Sequence, residues 1–199
     1  MNFMRPKEGH KEEDILEAAI KVFAEEGFHD AKISKIAKRA NVATGSVYVY
    51  FKNKDDLLIK IFQSIWEQLY IELRDIAANK GLSPIEKVDS MLDLIFDKFI
   101  ENPSLAIVFV TEQNNFTRSK RDHFLDYYER FLDEGEKVLR EGIEKGIFSE
   151  NLDLKIFRNY IFGAIRNLLH HWAVDPKLYP LTQIRQNIKY LTKHGIKKE

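Results

Sequence analysis

The stretch ISKIAKRANVATGSVYVYFKNKDDLL, residues 33–58, decides the fold of this chain. Ser34 can cap a short helix with one apolar face, which ends near Asn41, a residue type that tolerates a positive φ angle. After a turn of a few residues, a second short helix fits residues 44–50, with Thr44 as its cap. Two short helices joined by so tight a turn are typical of a helix-turn-helix unit.

The residues on either side complete a small helical head. Upstream, apolar residues recur at helical spacing from Ile15 to Phe23 in a helix at about 11–26, and Gly27 follows as a left-handed stop. Downstream, Asn53 can cap a long helix that runs to about residue 79. The third short helix is then placed to enter the major groove of DNA.

The remainder of the chain is also helical by its periodicity and its breaks. Ser83-Pro84 and Asn102-Pro103 delimit one further helix. Residues 104–116 could form a buried strand or a buried helix, and we favour a helix because no partner strand is evident. Later helices fit about 119–145, a segment that begins at Asn151 or Asp153 and runs to about 173, and 181–194. We therefore predict an all-α protein of about nine helices, with a helix-turn-helix domain at 1–56 and a helical ligand-binding and dimerisation domain at 57–199.

The net charge of the chain and its distribution limit the functions that the protein can have. The 199 residues include 31 Lys+Arg and 31 Asp+Glu, so the formal net charge is zero. This balance argues against a non-specific architectural DNA protein, which needs widespread neutralisation of phosphates. Residues 32–54 nevertheless hold six basic residues and no acidic one, which is typical of a phosphate-binding surface. The alternative is an ordinary solvated face.

Several other classes are disfavoured. The chain has no cysteine, its longest apolar run is far shorter than the ~20 residues of a membrane span, and residues 1–11 lack the apolar core of a secretory signal. No GxSxG or HExxH motif is present, and His170 and His171 lie about 100° apart on a helix. We expect a cytoplasmic protein that is not an enzyme, with no metal, no cofactor and no membrane partner.

The uncharged segment 43–50 has the side chains that a DNA contact requires. Gly45 allows the backbone to approach a phosphate or a base edge, and the Tyr48 and Tyr50 hydroxyls can donate to phosphate oxygens. Each tyrosine could instead pack against a neighbouring helix, and Val47 could touch a thymine methyl group or belong to the core. The predicted DNA contacts are Lys32, Ser34, Thr44, Gly45, Ser46, Tyr48, Tyr50 and Lys54.

Over about residues 12–58 the sequence resembles the DNA-binding signature of TetR-type transcriptional regulators. The resemblance is carried by Gly27-Phe28, Ile33, Ile36-Ala37, Ala40, Val42, Gly45, Val47-Tyr48, Tyr50-Phe51, Lys54 and Asp55-Asp56-Leu57. Asn41 stands where the family usually has glycine, and Tyr50 stands where histidine is common. The resemblance implies a homodimer whose helical body binds a ligand, changes the spacing of the two heads and releases the operator.

Aromatic side chains are dense in the body, where they could enclose an apolar cavity or simply form the core. Arg118 and Arg121 could bind an anionic headgroup or lie in a solvated loop. At least one of Arg166 and Asn167 is expected to point inward. The predicted ligand-binding residues are Phe96, Phe99, Phe109, Glu112, Phe116, Arg118, Arg121, Tyr127, Phe131, Phe162 and Arg166.

The body at about 104–175 is similar, more loosely, to TetR-type regulators of fatty-acid degradation, which respond to long-chain acyl-CoA. Residues 102–108, 141–146 and 161–172 carry this similarity. It implies a repressor released by a small hydrophobic effector such as a long-chain acyl-CoA or a fatty acid. The alternative is a multidrug-type sensor of aromatic or cationic compounds, which an acidic side chain facing the cavity, such as Glu112, would favour.

The last two helices supply a candidate dimer face. Apolar residues at helical spacing could pair with a second copy in a two-fold, four-helix interface, which would require a palindromic operator. They could instead be buried within one subunit. The predicted interface residues are Ile161, Ile165, Leu168, Trp172, Ile184, Ile188 and Leu191.

Overall fold

The computed structural model describes residues 11–112 and 118–197, with side chains except those of 118–124. These residues form nine α-helices, and the described part has one isolated antiparallel bridge, between Phe148 and Lys197. The helices are α1 (Lys11–Glu26), α2 (Ile33–Arg39), α3 (Thr44–Tyr50), α4 (Lys54–Ala78), α5 (Pro84–Glu101), α6 (Pro103–Glu112), α7 (Arg118–Glu144), α8 (Leu154–Val174) and α9 (Leu181–Ile196). The all-α prediction is confirmed, and the described part of the ambiguous segment, as far as Glu112, is helical.

Capping side chains start three of the long helices. The Asn53 side chain accepts a hydrogen bond from the backbone of Asp56 at the start of α4, and Asp153 caps α8 in the same way. Ser83 and Glu86 form a capping box at the start of α5. Hydrogen bonds from the hydroxyl and backbone of Ser83 lower the pKa of Glu86. Each of these helix N-termini is therefore stabilised by residues within three positions of its cap.

Left-handed residues mark the turns that follow α1, α2 and α7. Gly27 has φ +76°, Asn41 has φ +55° and Gly146 has φ +67°. Asn41 therefore adopts the conformation predicted for the turn of the helix-turn-helix, where its short polar side chain tolerates the left-handed region.

Two predicted caps are wrong. The N-cap positions of α2 and α3 are Lys32 and Ala43, both extended and without a capping side-chain hydrogen bond. Ser34 and Thr44 lie inside the first turns of these helices, and both side chains are exposed. Neither hydroxyl therefore caps its helix.

The head and the body share a helix. In the head, α1, α2 and α3 enclose an apolar core that includes Ile15, Phe23, Ile36 and Val47. The predicted boundary at residue 56 falls in the first turn of α4, which runs on into the body. A motion of α4 would therefore be transmitted directly to the head.

The body is a helical bundle in which α4 packs most extensively against α7. α5 packs against α4, α7 and α9, while α8 contacts α6, α7 and α9. α6 is also packed against α1. Body and head are therefore joined by the continuous α4, which also packs against α1, and by the contact between α6 and α1. None of the described helices is both long and apolar enough to cross a membrane.

Two glycines in α7 provide a matched stability test. A Cβ at Gly142 would lie 2.0 Å from a ring carbon of Phe148, whereas a Cβ at Gly135 would meet no atom within 4 Å. We predict that Gly142→Ala lowers the free energy of unfolding by about 1–3 kcal/mol through overpacking. Gly135→Ala should raise it by up to about 1 kcal/mol because alanine favours a helix. Urea unfolding at matched protein concentration measures both, and equal effects would contradict the predicted clash.

Candidate DNA-binding surface and effector cavity

The outer face of α3 carries large exposed side chains. Tyr48 is 54% exposed, Val49 is 79% exposed and Tyr50 is 41% exposed. Thr44 and Gly45 are exposed as well, and Ser46 is half-buried. A short helix that leaves tyrosine and valine in water, next to a tight turn, has the form of a helix that reads the major groove.

Val47 and Val49 lie on opposite sides of α3. Val47 is completely buried in the head core, so its predicted alternative contact with a thymine methyl group is wrong. Val49, two residues later, lies about 200° further round the helix and points into solvent. Val49 is thus the apolar side chain on α3 that is available to a thymine methyl, and the sequence analysis missed it.

The basic surface of the head is weaker than its six cations suggest. Lys35 forms an ion pair with Glu26 at 2.5 Å, and Arg39 forms one with Glu25 at 2.8 Å. The hydrogen bond from Arg39 lowers the pKa of Glu25. The side chain of Lys32 remains exposed at the start of α2. Acidic residues of α1 therefore neutralise part of the basic cluster.

Lys54 is half-buried and reaches back to the turn after α1. Its ammonium donates hydrogen bonds to the carbonyl oxygens of Phe28, at 2.8 Å, and His29, at 2.7 Å, and it lies 5.1 Å from the Phe28 ring centre. The start of α4 is thereby tied to the turn after α1. Lys54 was predicted as a DNA contact, and in the described structure two of its three ammonium donors are used by these carbonyls.

The same turn is bound to α6. The backbone N–H of Phe28 donates to the carboxylate of buried Glu112 at 3.4 Å, and the Thr111 hydroxyl donates to that oxygen at 3.1 Å. The Phe28 ring packs edge-on against Phe23. We call this set of contacts among Phe28, Lys54 and Glu112 the Phe28 junction, because it joins the head to both α4 and α6.

An apolar cavity of about 90 Å³ lies in the body among α4, α5, α7, α8 and α9. Beside it, the Trp66 ring contacts Phe109, Tyr128, Phe131 and Phe162 at centroid distances of 4.8–5.6 Å. The cavity is lined by Leu73, Val88, Met91, Leu92, Ile95, Phe131, Leu132, Gly135, Glu136, Leu139, Phe157, Arg158, Ile161, Phe162 and Thr192.

Ion pairs hold the α9 wall of this cavity to α5. Arg185 contacts Asp93 at 2.7 Å and Asp97 at 2.6 Å, and Lys189 contacts Asp93 at 2.8 Å and Asp89 at 3.3 Å. The acidic residues lie on α5 and the basic residues on α9, so these pairs fix the register of α9 beside α5, and α9 contributes Thr192 to the cavity lining.

The predicted ligand-binding residues are only partly brought together. Phe131 and Phe162 line the cavity. Phe96, Phe99 and Phe109 are core residues that do not line it. Phe116 lies outside the described residues, as do the side chains of Arg118 and Arg121.

Three polar members of that set have other roles. Glu112 belongs to the Phe28 junction. The Tyr127 hydroxyl donates to Glu67 at 3.2 Å, and the negative charge of Glu67 raises the pKa of Tyr127. Arg166 and Asn167 are both exposed, so the expectation that one of them points inward is wrong. Arg158 and Thr192 also line the cavity. The sequence pattern gives no sign of this, because a polar residue in a helix ordinarily faces solvent.

Most of the predicted dimer residues are used within the subunit. Ile165, Trp172, Ile184 and Ile188 are buried in the core, and Ile161 lines the cavity. Leu168 is half-buried, and Leu191 is 56% exposed. For the buried four, the alternative of burial within one subunit is correct, because the most apolar face of each helix packs on its own core.

The outward face of α8 lies on roughly the opposite side of the helix from its buried residues. On α8 this face follows a helical spacing through Ile156, Tyr160, Gly163 and Val174, all exposed. On α9 the exposed residues include Tyr190 and Leu191. Together they leave large apolar side chains in water on adjacent helices, which is typical of a protein–protein interface.

Comparison with protein families covers nearly the whole chain. Residues 15–61 match the model of bacterial regulatory proteins, tetR family. Residues 62–195 match the model of the YsiA-like protein, C-terminal region. The chain is 35% identical to the fatty acid metabolism regulator protein of Bacillus subtilis over 185 residues, which is 92% of this chain and 93% of that protein.

Solved structures agree with this. The fatty acid degradation regulator FadR from Bacillus halodurans superposes with a TM-score of 0.85 at 33% identity, covering 96% of this chain and 98% of that one. The transcriptional regulator FadR from Bacillus subtilis, in complex with stearoyl-CoA, gives 0.81 at 32% identity, covering 92% and 98%. The matches include the helix-turn-helix and the helical body alike. This chain therefore belongs to the tetR family and is a DNA-binding transcriptional regulator.

Proposed function

We propose that this regulator represses transcription in the cytoplasm as a homodimer on a palindromic operator and is released by a long-chain acyl-CoA. In this proposal residues 1–56 bind DNA, and residues 57–199 bind the effector and a second subunit. The observation that carries it is the apolar cavity of the body, in a chain similar over its length to a FadR protein solved with stearoyl-CoA. Release of labelled operator by stearoyl-CoA tests it.

The DNA contacts are proposed from exposure and chemistry. Lys32, Ser34 and Thr44 are exposed, together with the outer face of α3. Hydroxyl and ammonium groups suit phosphate oxygens, whereas a valine methyl group suits a thymine methyl. Tyr48 is therefore assigned to the DNA backbone and Val49 to a base edge. Lys54 supports the head through the Phe28 junction.

Two substitutions on α3 should separate these roles. Tyr48→Phe should weaken binding to every duplex alike, by about 0.5–1.5 kcal/mol, because it removes a hydroxyl that donates to phosphate. Val49→Ala should weaken binding to the operator and leave binding to unrelated DNA unchanged. Fluorescence anisotropy measures both, with an operator selected by the wild-type protein from random duplexes. Equal weakening of both DNAs by Val49→Ala would contradict its assignment to a base.

The size of the cavity links effector binding to movement. Pockets for small molecules usually measure ~300–1,000 Å³, whereas this cavity measures about 90 Å³. A long acyl chain therefore has to move the walls apart, including α4 and α7. α4 continues into the head, so a ligand that binds the displaced arrangement more tightly shifts the position of the head.

The multidrug alternative receives less support. Glu112 was the acidic residue expected to face the cavity, and it instead contacts Phe28. Glu136 does line the cavity, but it forms an ion pair with Arg140 and lies 3.7 Å from Arg158. A carboxylate with two guanidinium partners is not available to a cationic drug.

Gly135 offers a test of the cavity as the effector site. Gly135 lines the cavity and a Cβ there meets open space, so the larger side chain of Gly135→Leu should occupy part of the cavity. We predict operator affinity near the wild-type value and at least about tenfold weaker binding of stearoyl-CoA, since loss of a few buried methylene contacts costs ~0.8 kcal/mol each. Gly135→Ala is the matched control for helix propensity and should retain the response. Normal release of the Gly135→Leu protein by stearoyl-CoA would place the effector elsewhere.

The dimer is proposed on the outward faces of α8 and α9 rather than on the residues first predicted. Tyr160 and Val174 are 61% and 73% exposed, and Tyr190 is 62% exposed. Their burial against a second copy would remove the exposed apolar surface, and two-fold pairing would place two recognition helices on one duplex.

A charge on this face should separate the subunits. Tyr160→Glu and Val174→Glu should each shift the dimer toward monomer in sedimentation velocity, because an unpaired carboxylate would be buried at the interface. Operator affinity should fall with it. Ile71→Glu, on the 41%-exposed Ile71 of α4, is the control and should leave the protein dimeric. If Tyr160→Glu sediments as the wild-type protein does, the interface lies on another face.

A further inference from the structure

Two polar atoms are buried in the wall of the apolar cavity without a hydrogen-bond partner. Among the described residues these are Nε of Arg158 and Oγ1 of Thr192. Arg158 reaches the cavity from α8 and Thr192 from α9. Thr192 is only 3% exposed. Buried polar groups in native proteins are nearly always hydrogen-bonded, so these two atoms require a partner inside the cavity, which a water molecule or a ligand can supply.

The helix backbone does not satisfy Thr192. A threonine within a helix commonly donates its hydroxyl to the carbonyl four residues earlier, and here Oγ1 makes no such bond. Nε of Arg158 carries one hydrogen and has no acceptor capacity. The cavity therefore presents one obligatory donor and one hydroxyl that can also donate.

The charges around Arg158 determine which acceptor fits. Its terminal nitrogens lie 3.9 Å from Glu129, 3.8 Å from Asp133 and 3.7 Å from Glu136, and Glu136 is also paired with Arg140. Three carboxylates and two guanidinium groups give this cluster a formal charge of −1. A ligand carboxylate would add a further negative charge beside them, whereas a neutral carbonyl oxygen would not.

We propose that the cavity recognises a neutral carbonyl oxygen through Nε of Arg158 and Oγ1 of Thr192. A carbonyl oxygen has two lone pairs, enough for both donors. The inference rests on the proposed function, in which this oxygen is the thioester carbonyl of the acyl-CoA. The regulator would thereby respond to the activated thioester and not to the free fatty acid, although both carry the same hydrocarbon chain.

The test compares three ligands that share an 18-carbon chain: stearoyl-CoA, its thioether analogue octadecyl-CoA, in which a methylene group replaces the carbonyl, and stearate. Binding to the full-length protein is measured by calorimetry for the wild type, Thr192→Val and Thr192→Ser. Valine has nearly the shape of threonine and removes a buried hydroxyl without a partner, so the variant should fold. Serine retains the hydroxyl as a matched control.

We expect Thr192→Val to lose affinity only for the ligand that carries the carbonyl group. Thr192→Val should weaken stearoyl-CoA binding about three- to tenfold, the effect of one hydrogen bond, and leave octadecyl-CoA unchanged. Thr192→Ser should bind both as the wild type does, and stearate should bind the wild type much more weakly than stearoyl-CoA.

Two outcomes would overturn the inference while the proposed function stands: equal effects of Thr192→Val on both CoA ligands, or stearate binding as tight as that of stearoyl-CoA. Failure of stearoyl-CoA to bind the wild-type protein would instead refute the proposed function.

Discussion

The arrangement of head and body depends on the Phe28 junction. The turn after α1 leaves backbone N–H and C=O groups without helical partners, and such groups must be satisfied when they are buried. Lys54 of α4 donates to the carbonyls, and Glu112 of α6 accepts from the N–H of Phe28. The position of the head is thereby set by two body helices. A small rotation of either helix must carry the turn with it or break a buried hydrogen bond.

The body has a densely packed aromatic side and a side that contains the cavity. Trp66 and its aromatic neighbours form a dense cluster between α4, α6, α7 and α8. Next to it, the cavity leaves open space at Gly135. The ion pairs between α5 and α9 hold the outer wall from the solvent side. In the proposed mechanism, ligand entry would therefore displace α4, which continues into the head, and α7, which packs against α4.

The attraction of the head for DNA depends on where its charged residues lie, and the zero net charge of the chain does not reveal it. The acidic residues of α1 pair with Lys35 and Arg39 of α2, which lowers the non-specific attraction of the head for phosphate. In the proposed homodimer, specific binding would then depend on the shape of the α3 surface and on two heads acting together. A neutral protein with a modest basic face would suit reversible control, because a change in the spacing of the two heads would remove much of its affinity.

The sequence alone determined the helices, the capped starts at Asn53 and Ser83, the left-handed turn at Asn41 and the family. The helices, caps and turn depend on backbone preferences within a few residues. Only the tertiary structure decided that Val49 and not Val47 faces outward, that Asp153 and not Asn151 caps α8, and that Lys54 bonds to the turn after α1. It also decided that Ile165 and Trp172 are core residues while Tyr160 lies on the surface. Periodicity identifies the most apolar face of a helix, but packing among all the helices determines whether that face meets its own core, a cavity or a second subunit.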